Sequence, residues 1–289
     1  MRDPGNVRRR LDDRINAWHV NIERVAEIYT SILAFGRQED TRVVLKIVKA
    51  VGDEWRAGEV LQAFGGLGVV RVYKHEDGAT LLERLDPGTA LTPLAIGGSD
   101  DEAARIVART IAAMAPVASP VGVPGVSEWG SAFGSYLASG DARIAAALVR
   151  DGHATYSELC DSQTRGRLLH GDLHHDNILF DTNRGWVAID PKGVVGELEY
   201  EVGAALRNPH TSPELFTDPA TIERRVDCFT RELNLDRSRV LGWAFAQAVL
   251  AAIWAIEDGE GDQPRDAWIA LAKTIGRLHN KPSARISSS

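Results

Sequence analysis

One stretch limits the architectures open to this chain more than any other. It is LLHGDLHHDNILFD, Leu168 to Asp181, followed closely by GWVAIDPKG, Gly185 to Gly193. The first packs three histidines and three aspartates into fourteen residues just ahead of an apolar, strand-like ILF. Loops so rich in ionisable groups usually carry function. Two chemistries compete for it. In a metal cage, His170, Asp172, His174, His175 and Asp176 would supply ligands, and Gly-Asp-x-His resembles a fragment of binuclear metallophosphatases. Such sites gather ligands from several separated loops. Here no HExxH and no later Asn-His-Asp/Glu segment exists, and His19, His75, His153, His210 and His279 are scattered.

A phosphoryl-transfer site accounts for more residues. It needs an Asp beside the acceptor hydroxyl, an Asn five positions later on a metal, and an Asp on the next loop holding Mg²⁺ against the phosphates. It also needs a strand Lys reaching the phosphates and a helical Glu holding that Lys. Asp172 and Asn177 have the spacing, and Asp190 follows the strand-like GWVAI. Lys46 lies in the β-branched run TRVVLKIVK, and Glu59 in DEWRAGEVLQAF, which has helical spacing. All five stand in the required order on the required elements. Lys49 rivals Lys46, but the two point to opposite faces of a strand, so only one can face a cleft. Glu54 rivals Glu59 from a different helix face; Lys46 and Glu59 are preferred.

The rest of the chain suits such a site. The first third reads as strands around one helix. Asn21–Phe35 and Thr41–Lys49 form a hairpin, and VVRVYKHEDGATLLERL forms a second one turning at Glu76-Asp77-Gly78. DPGTALTP reads as a hinge. Helical patterns dominate beyond it, at about 99–115, 127–139, 141–162, 220–234, 236–257 and 265–279. The expected fold is α+β and protein-kinase-like in two lobes, a small antiparallel sheet with one helix and a larger, mainly helical part. The expected division is residues 1–85 for nucleotide binding and residues 86–289 for the catalytic loop and acceptor pocket.

Charge and composition narrow the partners. The 289 residues carry a formal charge of -7, which argues against nucleic acid as a partner and suits a cationic small molecule. Cys160 and Cys228 have no CxxC companion, the pattern of reduced thiols in a cytoplasmic protein. MRDPGNVRRRLDDR lacks the apolar stretch of a signal peptide. WAFAQAVLAAIWAI is too short to span a membrane and reads as a buried helix. The expectation is a cytoplasmic monomer or weak homodimer without a membrane partner.

HGDLHHDNIL, with VAIDPKGVVGELEYEVG and LLERLDPGTAL, resembles the aminoglycoside phosphotransferases, and within them the streptomycin 6-phosphotransferase and hydroxyurea phosphotransferase group. The resemblance covers nearly the whole chain and is weakest in the first forty residues. It implies transfer of the γ-phosphoryl of ATP, with Mg²⁺, to a hydroxyl of a cationic acceptor such as streptomycin. It makes Asp172 the catalytic aspartate, Asn177 and Asp190 the magnesium ligands, Lys46 the lysine on the α/β-phosphates and Glu59 its partner. Backbone atoms around Glu83, Arg84 and Leu85 become the adenine-reading hinge, and His170 a structural support. Glu197, Glu199 and Glu201 become candidate carboxylates of the acceptor pocket. NIERVAEIYTS departs from protein kinases in offering no glycine where they carry a phosphate loop, so Lys46 and Mg²⁺ must hold more of the phosphate charge. The alternatives are a same-fold kinase of a sugar, amino alcohol or hydroxyurea, a metal-dependent phosphohydrolase, and a nucleotide-binding module without turnover.

Overall fold

Alternation of apolar residues builds the N-terminal sheet. A computed structural model describes residues 4–116 and 118–279. Strands β1 (Asn21–Glu27), β2 (Ser31–Gln38), β3 (Thr41–Val48), β4 (Val72–Glu76) and β5 (Ala79–Glu83) form an antiparallel sheet in the order β1-β2-β3-β5-β4. The β4–β5 turn falls on Asp77-Gly78 as the sequence suggests. Both residues have positive φ, 48° and 68°, the backbone a two-residue hairpin turn demands. Asn21–Phe35 is not one strand. The chain reverses at Tyr29-Thr30, where the Ile28 N–H donates to the Ser31 carbonyl at 2.9 Å.

One face of this sheet is closed by a helix that the sequence reading did not anticipate, Pro4–Trp18. Its Val7, Leu11 and Trp18 pack with Val20, Ile32, Ala34, Val43, Leu45, Ile47, Ala79 and Leu81 in one buried cluster, flanked by Ile15. The apolar spacing is helical, but the arginines and aspartates between these residues mask it in a scan for long apolar runs. The helix expected at Asp53–Phe64 starts as a 3₁₀ turn, Asp53–Arg56, and becomes α-helical over Ala57–Phe64.

The chain divides into two compact units. The first comprises residues 1–94, 106–123 and 167–195; the second comprises 95–105, 124–166 and 196–289. This differs from the single cut near residue 85 suggested by the sequence, because the aspartate-rich segment pairs back onto the N-terminal part. In the first unit β6 (Pro87–Ala90), β8 (Ile178–Asp181) and β9 (Gly185–Ala188) form a three-stranded antiparallel sheet. β7 (Arg167–Leu169) pairs with β10 (Val194–Gly196). At the end of β9, Ala188 exchanges backbone hydrogen bonds with Gly68 and Val70 at 2.9 and 2.8 Å. Gly68 has φ +70°, and a Cβ there would meet the Met114 backbone at 3.0 Å, so glycine permits the approach.

The second unit is helical. Arg237–Glu257, capped by the Asp236 carboxylate on the Arg239 N–H, is buried along almost its whole length and packs against Ala146–Asp161, Leu198–Leu206 and Asp262–His279. Among the described residues it is the one helix long and apolar enough to cross a membrane, and its most apolar window is 83% buried in this core. The helix expected from residue 141 starts only at Ala146. Asp141 instead accepts from the Arg143 N–H and guanidinium in a tight turn, and Tyr136 caps it by accepting from the Ile144 N–H. Cys160 and Cys228 are both free thiols.

One ion pair ties the second unit together. Arg225 is buried, with Nε 3.0 Å and Nη2 2.5 Å from the Asp100 carboxylate. Its Nη1 donates to the carbonyls of Ala205 and Asn208. One side chain therefore fixes three segments. Removing one partner of a buried pair strands the other charge and destabilises by about 3–5 kcal/mol. Arg225→Ala should lower unfolding free energy by that amount in denaturant titration, whereas Arg231→Ala, in an exposed pair with Glu232, should change it little. Equal effects would deny Arg225 this role.

Candidate active site

The functional side chains converge because β2, β3 and β5 present alternate residues to the sheet face opposite the N-terminal helix. Leu33 pairs with Lys46 and Phe35 with Val44 across β2 and β3, and Lys46 pairs with Thr80 and Val44 with Leu82 across β3 and β5. All six line a cavity of about 490 Å³, a size suited to a nucleotide-sized ligand. Glu83, Arg84 and Leu85 form its edge, and Asn177, Leu179, Ile189 and Asp190 close it from the aspartate-rich segment. Arg24 and Phe35 are among the lining residues that the sequence did not single out. The Arg24 guanidinium lies 3.9 Å from the centre of the Phe35 ring, a cation–π contact. The period-two alternation on β2 was the available signal for Phe35; Arg24 offered none.

Lys46 is buried and pairs with Asp190 directly and with Glu54 Oε2 at 3.1 Å. Burial opposes its charge, but the two carboxylates outweigh burial and hold the ammonium above the ordinary lysine range. Glu54, and not Glu59, is therefore the glutamate on Lys46. Because Asp53–Arg56 is a 3₁₀ turn, Glu54 swings toward β3. Glu59 points outward, 3.9 Å from Arg56 and 43% exposed. Lys49 sits apart on the β1–β2 turn, donating to the Ile28 carbonyl at 2.7 Å and pairing with Glu27. The side chain of Glu83 acts as a strut, accepting from the Arg71 N–H at 2.8 Å and pairing with Arg184, so its backbone is what it offers the cavity edge.

The aspartate-rich loop is organised by His170, which is fully buried. Its Nε2–H donates to the Ile189 carbonyl at 2.8 Å, and Nδ1 accepts from the Asp172 N–H at 3.3 Å. This pattern needs the neutral ring, and burial depresses its pKa from 6.5 to about 4. The ring thus links Asp172 to the residue before Asp190. Asn177 Nδ2 donates to the Asp172 carbonyl at 2.9 Å, which directs the amide oxygen elsewhere. Asp190 has φ +60°, an uncommon backbone state that clusters at functional sites. Asn177 and Asp190 offer oxygen donors suited to a hard divalent cation. The histidine cage does not form: no group of three or more His, Cys, Asp or Glu able to hold a metal exists among the described residues.

The three glutamates lie in the second unit. Glu197 is buried, accepting from Arg239 Nε at 2.8 Å and from the Trp243 indole. This corrects the expectation of an open acceptor ligand at Glu197, because its carboxylate is consumed inside the core. Glu201 is also buried. Glu199 is half-buried and accepts from the Asp236 N–H at 3.4 Å.

Fold and site together define an ATP-dependent phosphotransferase with a protein-kinase-like fold. The sequence matches the family described as aminoglycoside/hydroxyurea antibiotic resistance kinase over residues 17–259, and the chain belongs to that family. It is 34% identical over 230 residues to streptomycin 3''-kinase of Klebsiella pneumoniae, covering 77% of this chain and 83% of the relative. It is 32% identical over 244 residues to streptomycin 6-kinase of Streptomyces griseus, covering 77% and 74%. A thermostable mutant of aminoglycoside phosphotransferase APH(4)-Ia, solved with AMP-PNP and hygromycin B, superposes with a TM-score of 0.65 at 17% identity, covering 92% of this chain and 97% of that one.

Two outcomes test this geometry. Loss of the Glu54 carboxylate beside a buried ammonium should weaken ATP binding about tenfold. Glu54→Ala should show this in a nucleotide titration, and Glu59→Ala should stay near wild type; the reverse order would return the role to Glu59. His170 contributes stability that is complete above its unfolded pKa of 6.5 and is lost as pH falls toward about 4, because the unfolded chain takes up the proton first. The stability gap between wild type and His170→Gln should therefore shrink by about 2–3 kcal/mol between pH 7.5 and 4.5. A constant gap in denaturant titrations at the two pH values would mean that His170 is not held neutral.

Proposed function

We propose that the chain phosphorylates a hydroxyl of an aminoglycoside, with the streptomycin 6-hydroxyl as the leading acceptor. The observation that carries this reading is the gathering of Lys46, Asn177 and Asp190 on one cavity with the hinge residues Glu83–Leu85, and with Asp172 fixed to Asn177 by a hydrogen bond. The streptomycin kinases among the relatives support streptomycin as the acceptor. Hydroxyurea is the second reading, because the family description names it beside the aminoglycosides. The net charge of -7 favours a cationic acceptor. We assign its binding to the helical part of the chain, and the reaction to the cytoplasm.

Phosphoryl transfer asks for positioning and charge compensation more than covalent chemistry. Lys46 holds the α/β-phosphates, and the hinge backbone takes the base. Asn177 and Asp190 would hold Mg²⁺, which when bound neutralises charge on the phosphates. Asp172 orients the acceptor hydroxyl and accepts its proton. The hydroxyl oxygen forms the new bond to the γ-phosphorus as the bond to the β-bridging oxygen breaks, and ADP leaves with that electron pair.

Asp172→Ala should lower turnover by about 10²–10⁴-fold, the range for a general base, while ATP affinity measured by calorimetry stays near wild type. Near-normal turnover would remove Asp172 from the chemistry. Asp190→Ala should weaken ATP binding in the presence of Mg²⁺ and leave Mg²⁺-free binding little changed; unchanged affinity in both would deny it the metal. Radiolabelled ATP offered with streptomycin, other aminoglycosides and hydroxyurea separates the acceptors. Turnover of hydroxyurea without turnover of streptomycin would overturn the first reading and retain the mechanism.

A further inference from the structure

The turn that follows Asp190 brings a second cation to the loop. The N–H groups of Lys192 and Gly193 both donate to the His170 carbonyl, each at 3.0 Å. Gly193 has φ +78°, and a Cβ there would meet Val60 Cγ2 at 2.5 Å, so glycine lets the turn pack against the helix Ala57–Phe64. The main chain at Lys192 is therefore fixed independently of its side chain. That side chain reaches back to the loop, with Nζ 3.5 Å from Asp172 Oδ2. His174 Nε2 stands 3.9 Å from the same oxygen.

The pair is partly open, with Lys192 39% and Asp172 20% exposed. Partly exposed ion pairs add little to stability, and here two backbone hydrogen bonds already hold the turn. Fold support therefore does not account for a lysine at this position. Its consequence is local: it biases the direction of one carboxylate. A carboxylate that must meet an incoming hydroxyl within hydrogen-bond reach gains from a fixed direction. Asn177 and His170 fix the Asp172 backbone, and Lys192 adds a charge contact on Oδ2 of its carboxylate.

We propose that Lys192 is a positioning residue for the transfer, holding the Asp172 carboxylate in the direction that meets the acceptor hydroxyl. This rests on the phosphotransferase reading of Asp172. A positioning role acts on the rate and spares substrate binding. It requires the cation and not its shape, and it vanishes when the carboxylate is gone.

The test compares Lys192→Met, Lys192→Gln and Lys192→Arg with wild type. Transfer from radiolabelled ATP to streptomycin, to hydroxyurea and to water is measured, with thermal melts to check folding. Lys192→Met and Lys192→Gln should lower kcat about 10- to 100-fold, leaving KM for ATP and for the acceptor within about twofold. Lys192→Arg should recover most of the rate. In an Asp172→Asn background, Lys192→Met should have no further effect. The proposal is overturned if Lys192→Met stays within about threefold of wild-type kcat, or if Lys192→Arg is as slow as Lys192→Met. It is also overturned if ATP affinity falls in parallel with rate, which would make Lys192 a nucleotide ligand. Wild-type protein that transfers phosphate to none of these acceptors would instead defeat the phosphotransferase reading itself.

Discussion

A buried ammonium does not stand without counter-charge, and that requirement organises the first unit. Lys46 lies in the middle of β3 with little exposure, and Asp190, 144 residues later in the chain, is bound to it. Stranding either charge would be strongly destabilising, so the loop after β9 has to arrive at β3. Much of the remaining geometry serves that meeting. Ala188 is laced to Gly68 and Val70, His170 grips the carbonyl of Ile189, and the left-handed backbone at Asp190 turns its carboxylate toward the sheet. Asp172 comes along because the same histidine accepts from its N–H. The ion pair thus sets the site in register, with Glu54 adding a second carboxylate to Lys46 from the 3₁₀ turn.

The parts of this arrangement that were legible in sequence are those with a fixed local grammar. The Asp172-to-Asn177 spacing, the lysine in a β-branched run and the Asp-Gly turn of β4–β5 each state a backbone requirement in a few adjacent residues. Lys46 was separable from Lys49 because a strand alternates its faces. Glu54 was not separable from Glu59 in this way, because the first turn of that segment is 3₁₀ and its side chains point elsewhere than an α-helical phase would give. The N-terminal helix was missed because its stripe of Val7, Leu11, Ile15 and Trp18 is diluted by arginine and aspartate.

The expectation of an open carboxylate at Glu197 fails for a different reason. Negative charge in sequence says nothing about whether a carboxylate is already engaged. Glu197 begins the helix Leu198–Leu206, where a carboxylate is favoured by the helix dipole, and Arg239 and Trp243 from the helix Arg237–Glu257 take its oxygen. Three aromatic rings, Tyr156, Tyr200 and Trp243, pack edge to face around that point. Such partners lie some forty residues away, and no short motif reports them.

The phosphate end of the site carries an excess of negative side chains. The β1–β2 turn is a tight, glycine-free reversal at Tyr29-Thr30, and nothing in its sequence resembles the flexible glycine-rich loop that cradles phosphates in protein kinases. Side chains must then supply the positive charge. Lys46 is the lysine on the cavity; with Lys192 engaged on Asp172, two cations stand against the three carboxylates of Glu54, Asp172 and Asp190, so this cluster is net negative before a polyphosphate arrives. Adding several more negative charges at a few ångströms is unfavourable even at a generous effective dielectric. Asn177 and Asp190 would hold a divalent cation at this point, which would offset the excess and leave Lys46 free to meet the phosphates.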